Sequence, residues 1–320
     1  MPNTKATSPF PKNVVNSIGA PLNLNAGSVF LTRLFDALRI SLGDQFEQYT
    51  FVLHQWAFGQ FAGACIPLDP GGPDRVLIIV GDEKEVFPVE NFLSYRAIFR
   101  SYGNPSRELS NVHAFPVGYF DAAGTEETVP FNERTHSFFF SGYLNRNRVD
   151  LYKQFRTISW LPKRNLKNRL IKELARRAVE KLCPERNFND VFPGARVGFT
   201  EWFGKGLDPA VYARTLASSK IALCPAGFVS SETIRHWEAM RLGCVVISTP
   251  LPPNRYYKNS PIIELQDWSE LKPTLSRLLA DPDELRARHE ATVDWWNRVC
   301  SEQAVAEYLA DEIRRLKSNS

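Results

Sequence analysis

Glu232, Arg235 and Glu238 are spaced three residues apart and are the best placed in this chain to share one task. On a helix, that spacing puts all three side chains on one face. Arg235 can there make a bidentate contact to a phosphate-type oxyanion. Glu238, about a turn further on, can accept hydrogen bonds from two neighbouring hydroxyls. An ordinary exposed Glu–Arg–Glu ion-pair ladder has the same spacing. Position weighs against it, because the three residues follow a glycine turn and two serines and lie between two apolar runs.

The elements that would hold them run from Ser218 to Thr249. Lys220–Cys224 is an apolar run of strand length, broken by Pro225, Ala226 and Gly227. Ser230 and Ser231 are N-cap types, which puts Glu232 in the first helical turn. Gly243 is placed to stop the helix. Cys244–Ser248 is a second buried strand, ended by Pro250, Pro252 and Pro253. A strand–helix–strand unit with a polar helix start suits an anion, because unpaired N–H groups and the helix dipole point at it.

A similar unit precedes it. His136–Ser141 reads as a buried strand, Gly142 as a turn, and residues 145–158 as a helix with Arg146 and Arg148 near its start. Cations there oppose the helix dipole. Either they are solvated, or an anion sits among them. Further upstream, Arg75–Val80 is apolar throughout, as a parallel strand covered on both faces is. Gly81, Asp82 and Glu83 follow at its C-terminal end, the end where open α/β sheets bind ligands. The acidic pair either faces a cleft or forms an exposed turn.

The rest of the chain supplies supports. Residues 28–42 form an amphipathic helix, and 111–119 a strand ending in Pro-Val-Gly. Residues 95–102 read as a strand or a short helix. Asp208 caps a helix that starts at Pro209. A helix follows Asp267, and two more close the chain. Pro162–Lys181 is a basic amphipathic helix, either a solvated face or a patch for anionic lipid headgroups. The polar stretch 121–135 is the domain boundary. It separates an N-terminal domain (1–130) from a C-terminal one (131–300), with 301–320 as a closing helix.

The 320 residues have 43% hydrophobic and 23% charged content and a net charge of +4, the profile of a soluble globular protein. No nucleic-acid-binding signature appears, so nucleic acid is not an expected partner. The five cysteines, Cys65, Cys183, Cys224, Cys244 and Cys300, include no CxxC pair, and reduced thiols rather than a zinc site are expected. The first residues lack the apolar region of a secretory signal, and no apolar run reaches membrane-span length. A cytoplasmic protein, at most peripheral to a membrane, is the expectation.

The order strand–PxG–SxxxxRxxEAxxxGCxxV–strand resembles the C-terminal half of exostosin-type glycosyltransferases. The matching residues are Cys224, Pro225, Gly227, Arg235, Glu238, Ala239, Gly243, Cys244, Val245 and Ile247. Val246 stands where that family commonly has proline, and the usual aromatic and proline spacing between Gly227 and Arg235 is missing. The pair Asp267-Trp268 before a helix also resembles a later family motif. The match covers residues 215–280, about a fifth of the chain.

The resemblance implies an α/β chain of GT-B architecture: two Rossmann-like domains facing across a cleft, with C-terminal helices crossing back. It implies inverting, metal-independent transfer of a sugar from a nucleotide-sugar, expected to be a UDP-sugar, to a glycan or lipid-linked acceptor of a surface polysaccharide. Glu238 would hold the ribose and Arg235 the diphosphate. Gly227, after Pro225, would let the phosphates approach. Ser230, Ser231 and Glu232 would stand at the helix start, and Gly142, Arg146 and Arg148 would complete the pocket. The catalytic base would come from across the cleft, with Asp82 and Glu83 as candidates and His54 and His113 behind them. No Asp-x-Asp motif is present, in keeping with a metal-free site. The competing expectation is a non-catalytic glycan- or protein-binding module with a decayed nucleotide site.

Overall fold

Apolar runs rich in β-branched and aromatic residues form two parallel sheets, each covered on both faces. The computed structural model describes residues 10–16, 28–55, 71–102, 109–155, 192–200 and 205–316. The basic stretch 162–181, Cys65 and Cys183 lie outside them. The first sheet holds β1 (Val14–Asn16), β2 (Thr50–Gln55), β3 (Arg75–Val80), β4 (Ala97–Ser101) and β5 (Val112–Phe115), side by side in chain order. The second holds β6 (His136–Tyr143), β7 (Arg196–Thr200), β8 (Ser219–Cys224), β9 (Val245–Ser248) and β10 (Ile263–Glu264) in the order β10-β9-β8-β6-β7. Among the described residues, every strand pairing in both sheets is parallel.

Residues 95–102, open between strand and helix in the sequence, are settled as β4 by their pairing between β3 and β5. Two boundaries differ from the sequence expectation, both next to the site. Strand β6 does not turn at Gly142 but runs on to Tyr143, because β7 pairs with it as far as Thr200. Helix α3 (Val149–Phe155) starts later than residue 145. A 3-10 turn over Arg146–Arg148 intervenes, and the Asn145 side chain caps it by accepting from the Asn147 N–H at 2.9 Å.

The helices pack with their apolar stripes inward. Helix α1 (Ser28–Leu42) buries Phe30, Leu31, Leu34, Phe35 and Leu38 against the first sheet and the last helix. Each fully buried side chain of that size contributes ~1.5–3 kcal/mol of burial free energy. A short helix, α2 (Asp121–Thr125), begins the link to the second domain. There α4 (Pro209–Ala217) is capped by the Asp208 carboxylate, which accepts from the Ala210 and Val211 N–H groups. Then come α5 (Ile234–Arg241), α6 (Leu271–Ala280), α7 (Pro282–Trp295) and α8 (Glu302–Arg315).

Helix α8 leaves the second domain and lies on the first. Its Val305, Leu309 and Ile313 are fully buried, and Arg314 donates to the Ser41 carbonyl at the end of α1. One aromatic cluster joins the domains. Trp237 on α5 packs edge-on against Phe30, Tyr256 and Trp296, and Tyr119 packs against both Phe30 and Trp296. Two Rossmann-like sheets facing one another, with the C-terminal helix crossing back, constitute the GT-B architecture. Among the described residues, no helix is long and apolar enough to cross a membrane.

Candidate functional site

The strand order locates the site. In the second sheet the chain goes from β6 outward to β7, returns to the other side of β6 for β8, and then continues to β9. That reversal opens a crevice beyond the carboxyl ends of β6 and β8, where doubly wound sheets bind ligands. From the first sheet, Glu83 after β3, Tyr102 at the end of β4 and Phe120 beyond β5 come to the same crevice.

The β8 loop, Pro225–Thr233, is held from behind. Asn145 and Asn147 each donate to the Gly227 carbonyl, at 3.1 and 2.9 Å. Asn147 also donates to the Phe228 carbonyl at 3.1 Å, and the Arg148 Nε to that of Ala226 at 2.9 Å. Three successive carbonyls are thus tied to the turn after β6. The N–H groups of Val229 and Ser230 face the other way, into the cleft.

An anion already lies against them. Glu83 reaches from the opposite domain, and its Oε1 accepts from the Val229 and Ser230 N–H groups at 2.9 and 3.0 Å. The same oxygen lies so close to Gly227 that a Cβ there would sit 2.6 Å from it. Any residue with a side chain at position 227 would displace the carboxylate.

Two guanidinium groups flank Gly142. A Cβ on it would lie 2.8 Å from the Arg235 Nη2 and 3.2 Å from the Arg148 Nη1. Arg235 donates to the Ser141 carbonyl at 2.8 Å and stacks 5.0 Å from the Phe140 ring centre. Arg148 is buried and also donates to the Tyr143 carbonyl. Burial, followed by the neighbouring Arg235 charge, lowers its pKa to about 9. Two like charges held this close favour an anion between them.

Glu238 lies deeper on the same face, as its spacing requires. It is buried, and its Oε1 accepts from the Phe120 N–H of the other domain at 3.4 Å. Burial raises its pKa, while Arg235 pulls the other way. Tyr212, from α4, lies beside both Arg235 and Glu238.

Several expectations need correction. Neither Ser230 nor Ser231 caps α5. The cap is Thr233, whose N–H donates to the His236 Nδ1 at 3.1 Å, and the helix begins at Ile234. Ser230 contributes its backbone N–H to the cleft, while its Oγ accepts from the Glu232 N–H. Ser231 is a half-buried bend residue. Glu232 therefore precedes the helix rather than lying in its first turn. It is buried and accepts from the Tyr257 hydroxyl at 2.8 Å, and burial raises its pKa to about 7. Arg146 is exposed on the 3-10 turn, so only Arg148 of that pair comes to the cleft.

The catalytic candidates separate in the same way. Asp82 is fully buried and holds its own loop: its carboxylate accepts from the Val86 and Phe87 N–H groups and from Arg100 at 2.6 Å. With three accepted bonds and no exposure, that carboxylate serves its own loop rather than the cleft. His54 is buried against the Phe87 ring, and burial lowers its pKa to about 4. His113 is buried between the Phe99 ring and Glu312 of α8. Both histidines belong to the core, and Glu83 alone of the four reaches the crevice.

Sequence reasoning missed Asn145, Asn147, Tyr102 and Tyr212. Asn145, a strong N-cap type three residues after Gly142, carried a readable signal. Tyr102, at the end of β4, has a left-handed φ of 61°. Its phenol is held above the ordinary pKa by burial and by its neighbours Glu232 and Glu83. No spacing rule predicts those contacts. A cavity of about 870 Å³ lies elsewhere, lined by residues 124–130, α7 and Arg241. Two of its cations each donate to three backbone carbonyls, Arg134 to those of Val129, Ser219 and Leu242, and Arg241 to those of Ala123, Gly124 and Glu126. Among the described residues, no group of three or more His, Cys, Asp or Glu could hold a metal ion.

No family model matches the sequence, and neither does any curated protein. Solved structures are similar in outline. The GtfA/B complex matches at 11% identity and a TM-score of 0.45, over 91% of this chain and 61% of its own. A glycosyltransferase from Rickettsia africae matches at 9% and 0.44, over 91% and 83%. HepE from Anabaena, solved with UDP, matches at 10% and 0.42, over 89% and 84%. The chain spans about three fifths of the length of the first of these. At such values the likeness carries neither family nor chemistry, and the fold rests on the two sheets themselves.

Proposed function

We propose that the protein is a glycosyltransferase that takes its sugar from a nucleotide-sugar, a UDP-sugar in the first instance. One observation carries this reading. At the switch point of the second sheet two guanidinium groups flank Gly142, two N–H groups of the neighbouring β8 loop hold a carboxylate whose charge Arg148 feels, and Glu238 lies a turn deeper. The guanidinium and N–H groups suit a diphosphate and Glu238 a ribose diol. The arrangement also suits the departure of a nucleoside diphosphate. Fixed donors aimed at developing negative charge lower the barrier without reorganising as the reaction proceeds. Arg148, Arg235 and the loop amides would do this without a metal ion.

The acceptor would enter from the first domain, and a glycan or lipid-linked glycan of a surface polysaccharide is the class proposed. Membership of an exostosin-like family, an inverting course, a cytoplasmic setting and membrane contact through residues 162–181 belong to the same proposal. The decisive experiment is a titration with UDP, GDP, ADP and CMP, followed by a donor screen that reads nucleotide release with and without EDTA. One nucleotide is expected to bind and raise the melting temperature, and its sugar conjugate to be turned over equally with the chelator. No binding by any of the four would remove the reading. Binding without turnover of any conjugate would leave the non-catalytic binding module instead.

A further inference from the structure

Glu83 satisfies the very groups assigned above to the donor. Its carboxylate takes both inward N–H groups of the β8 loop and fills the space that Gly227 leaves open. Arg148 also feels its charge. A carboxylate oxygen and a phosphate oxygen make the same demand on such groups: negative charge and accepted N–H bonds. The two cannot occupy one position together.

We propose that Glu83 is a tethered competitor of the diphosphate, occupying the phosphate-binding loop until donor expels it. The proposal rests on the nucleotide-sugar reading for the identity of the ligand, though not for the existence of the anion site. The anchoring on either side supports it. The β8 loop is fixed by Asn145, Asn147 and Arg148 and stays in shape when the carboxylate leaves. On the other side, Asp82 clamps the backbone of the loop that bears Glu83. The exchange therefore needs only rotation of the half-buried Glu83 side chain towards solvent. The aromatic cluster joining the domains can remain intact.

This device has two consequences. Without donor, Glu83 ties the first domain to the β8 loop and covers the cleft floor. With donor, it is released on the acceptor side, beside Tyr102. A competitor in place nine-tenths of the time weakens apparent affinity about tenfold.

The test is calorimetric titration of the full chain and of its Glu83→Ala and Glu83→Gln variants, with UDP and separately with inorganic pyrophosphate. Thermal melts check that each variant is folded. Glu83→Ala is expected to bind both probes about tenfold more tightly, and Glu83→Gln to fall between it and the parent. Unchanged or weaker pyrophosphate binding in a folded Glu83→Ala variant would overturn the proposal. Failure of all three proteins to bind pyrophosphate would overturn it as well. Tighter pyrophosphate binding with no UDP binding by any of them would uphold the competitor and remove the nucleotide-sugar reading instead.

Discussion

Gly227→Ala isolates the phosphate-binding loop from the rest of the site. The added Cβ would lie 2.6 Å from the Glu83 Oε1, whereas ordinary contact begins at 3.4 Å, so the oxygen must retreat by 3.4 − 2.6 = 0.8 Å. The N–H bonds it accepts start at 2.9 and 3.0 Å. A retreat of that size takes them past about 3.5 Å, where they cease to be hydrogen bonds. Bonds to a charged group are worth ~1.5–3 kcal/mol each in a dry site. Glu83 is half-exposed, so the loss to folding is nearer ~1–2 kcal/mol for the pair. The φ of Gly227 is not left-handed, and Ala therefore restrains the unfolded chain, returning ~0.4–1 kcal/mol. Stability should fall by ~0–1.6 kcal/mol.

Binding should change much more. A phosphate oxygen placed where Glu83 Oε1 now lies meets the same Cβ and loses the same two N–H bonds. That corresponds to ~10–100-fold in Kd, or ~1.4–2.8 kcal/mol. In the parent background, expulsion of Glu83 offsets part of this loss, so the clean comparison is Gly227→Ala with Glu83→Ala against Glu83→Ala alone. Calorimetric titration with UDP measures affinity, and urea unfolding of the same samples measures stability. Equal UDP affinity in the single and double variants would mean that no phosphate sits in this loop, and the argument from Gly227 would fail.

Other residues give separate outcomes. Glu238→Ala removes the acceptor of the Phe120 N–H and a negative charge near Arg235, so urea unfolding should show a loss of ~1–3 kcal/mol. Glu238→Gln should keep the fold and weaken UDP binding instead. Arg134 is buried and donates to three carbonyls that join the domain boundary to β8 and α5. Arg134→Ala should cost about 4 kcal/mol in urea unfolding with nucleotide affinity in the folded fraction unchanged. Glu232 has a folded pKa of about 7 against an unfolded 4.5. The folded state thus holds the proton more tightly, and stability is lost as pH rises from 4.5 to 7. The loss is on the order of 3 kcal/mol. Glu232→Gln should match the parent at low pH and exceed it at about pH 8, as followed by chemical unfolding across the range. His236 acts in the opposite sense: burial lowers its pKa from 6.5 to about 3, so its contribution is lost as pH falls below 6.5. Leu309→Ala on α8 should cost ~2–5 kcal/mol, since the side chain is fully buried in the shared core.

What the sequence disclosed follows from which interactions are local. The strands Arg75–Val80 and Ser219–Cys224 were legible because each is apolar on both faces and ends at Gly or Pro, and α4 because Asp208 and Pro209 mark its start. Helical spacing placed Arg235 and Glu238 at successive depths on one face. The Ser230-Ser231 cap failed because Thr233 and His236 form a competing local pair, and a His at the third helical position is not the acidic residue that usually signals one. The contrasting fates of Asp82 and Glu83 were not legible at all. Adjacent in sequence, they point in opposite directions: one turns back onto its own loop, while the other crosses to a loop nearly 150 residues away. Such a choice depends on tertiary contacts, which no local pattern encodes.

The facing of the two sheets explains why so much of the site is backbone. Parallel strands present their carboxyl ends on one edge, and the loops leaving that edge begin with small or turn-forming residues: Gly81 after β3, Gly142 near the end of β6, Pro225 to Gly227 after β8. Without bulky side chains, those loops can approach an anion closely, but they cannot neutralise it. The charge must come from residues further along, and Arg148 and Arg235 supply it from the two units that flank the switch point. Both guanidinium groups come to Gly142 near the end of β6, while Gly227 after β8 leaves room for a carboxylate oxygen, so the two glycines admit opposite charges. The acid from the facing sheet, Glu83, meets the Val229 and Ser230 amides of the β8 loop. A side chain at Gly142 should for that reason resemble loss of an arginine in nucleotide titrations, whereas one at Gly227 displaces Glu83.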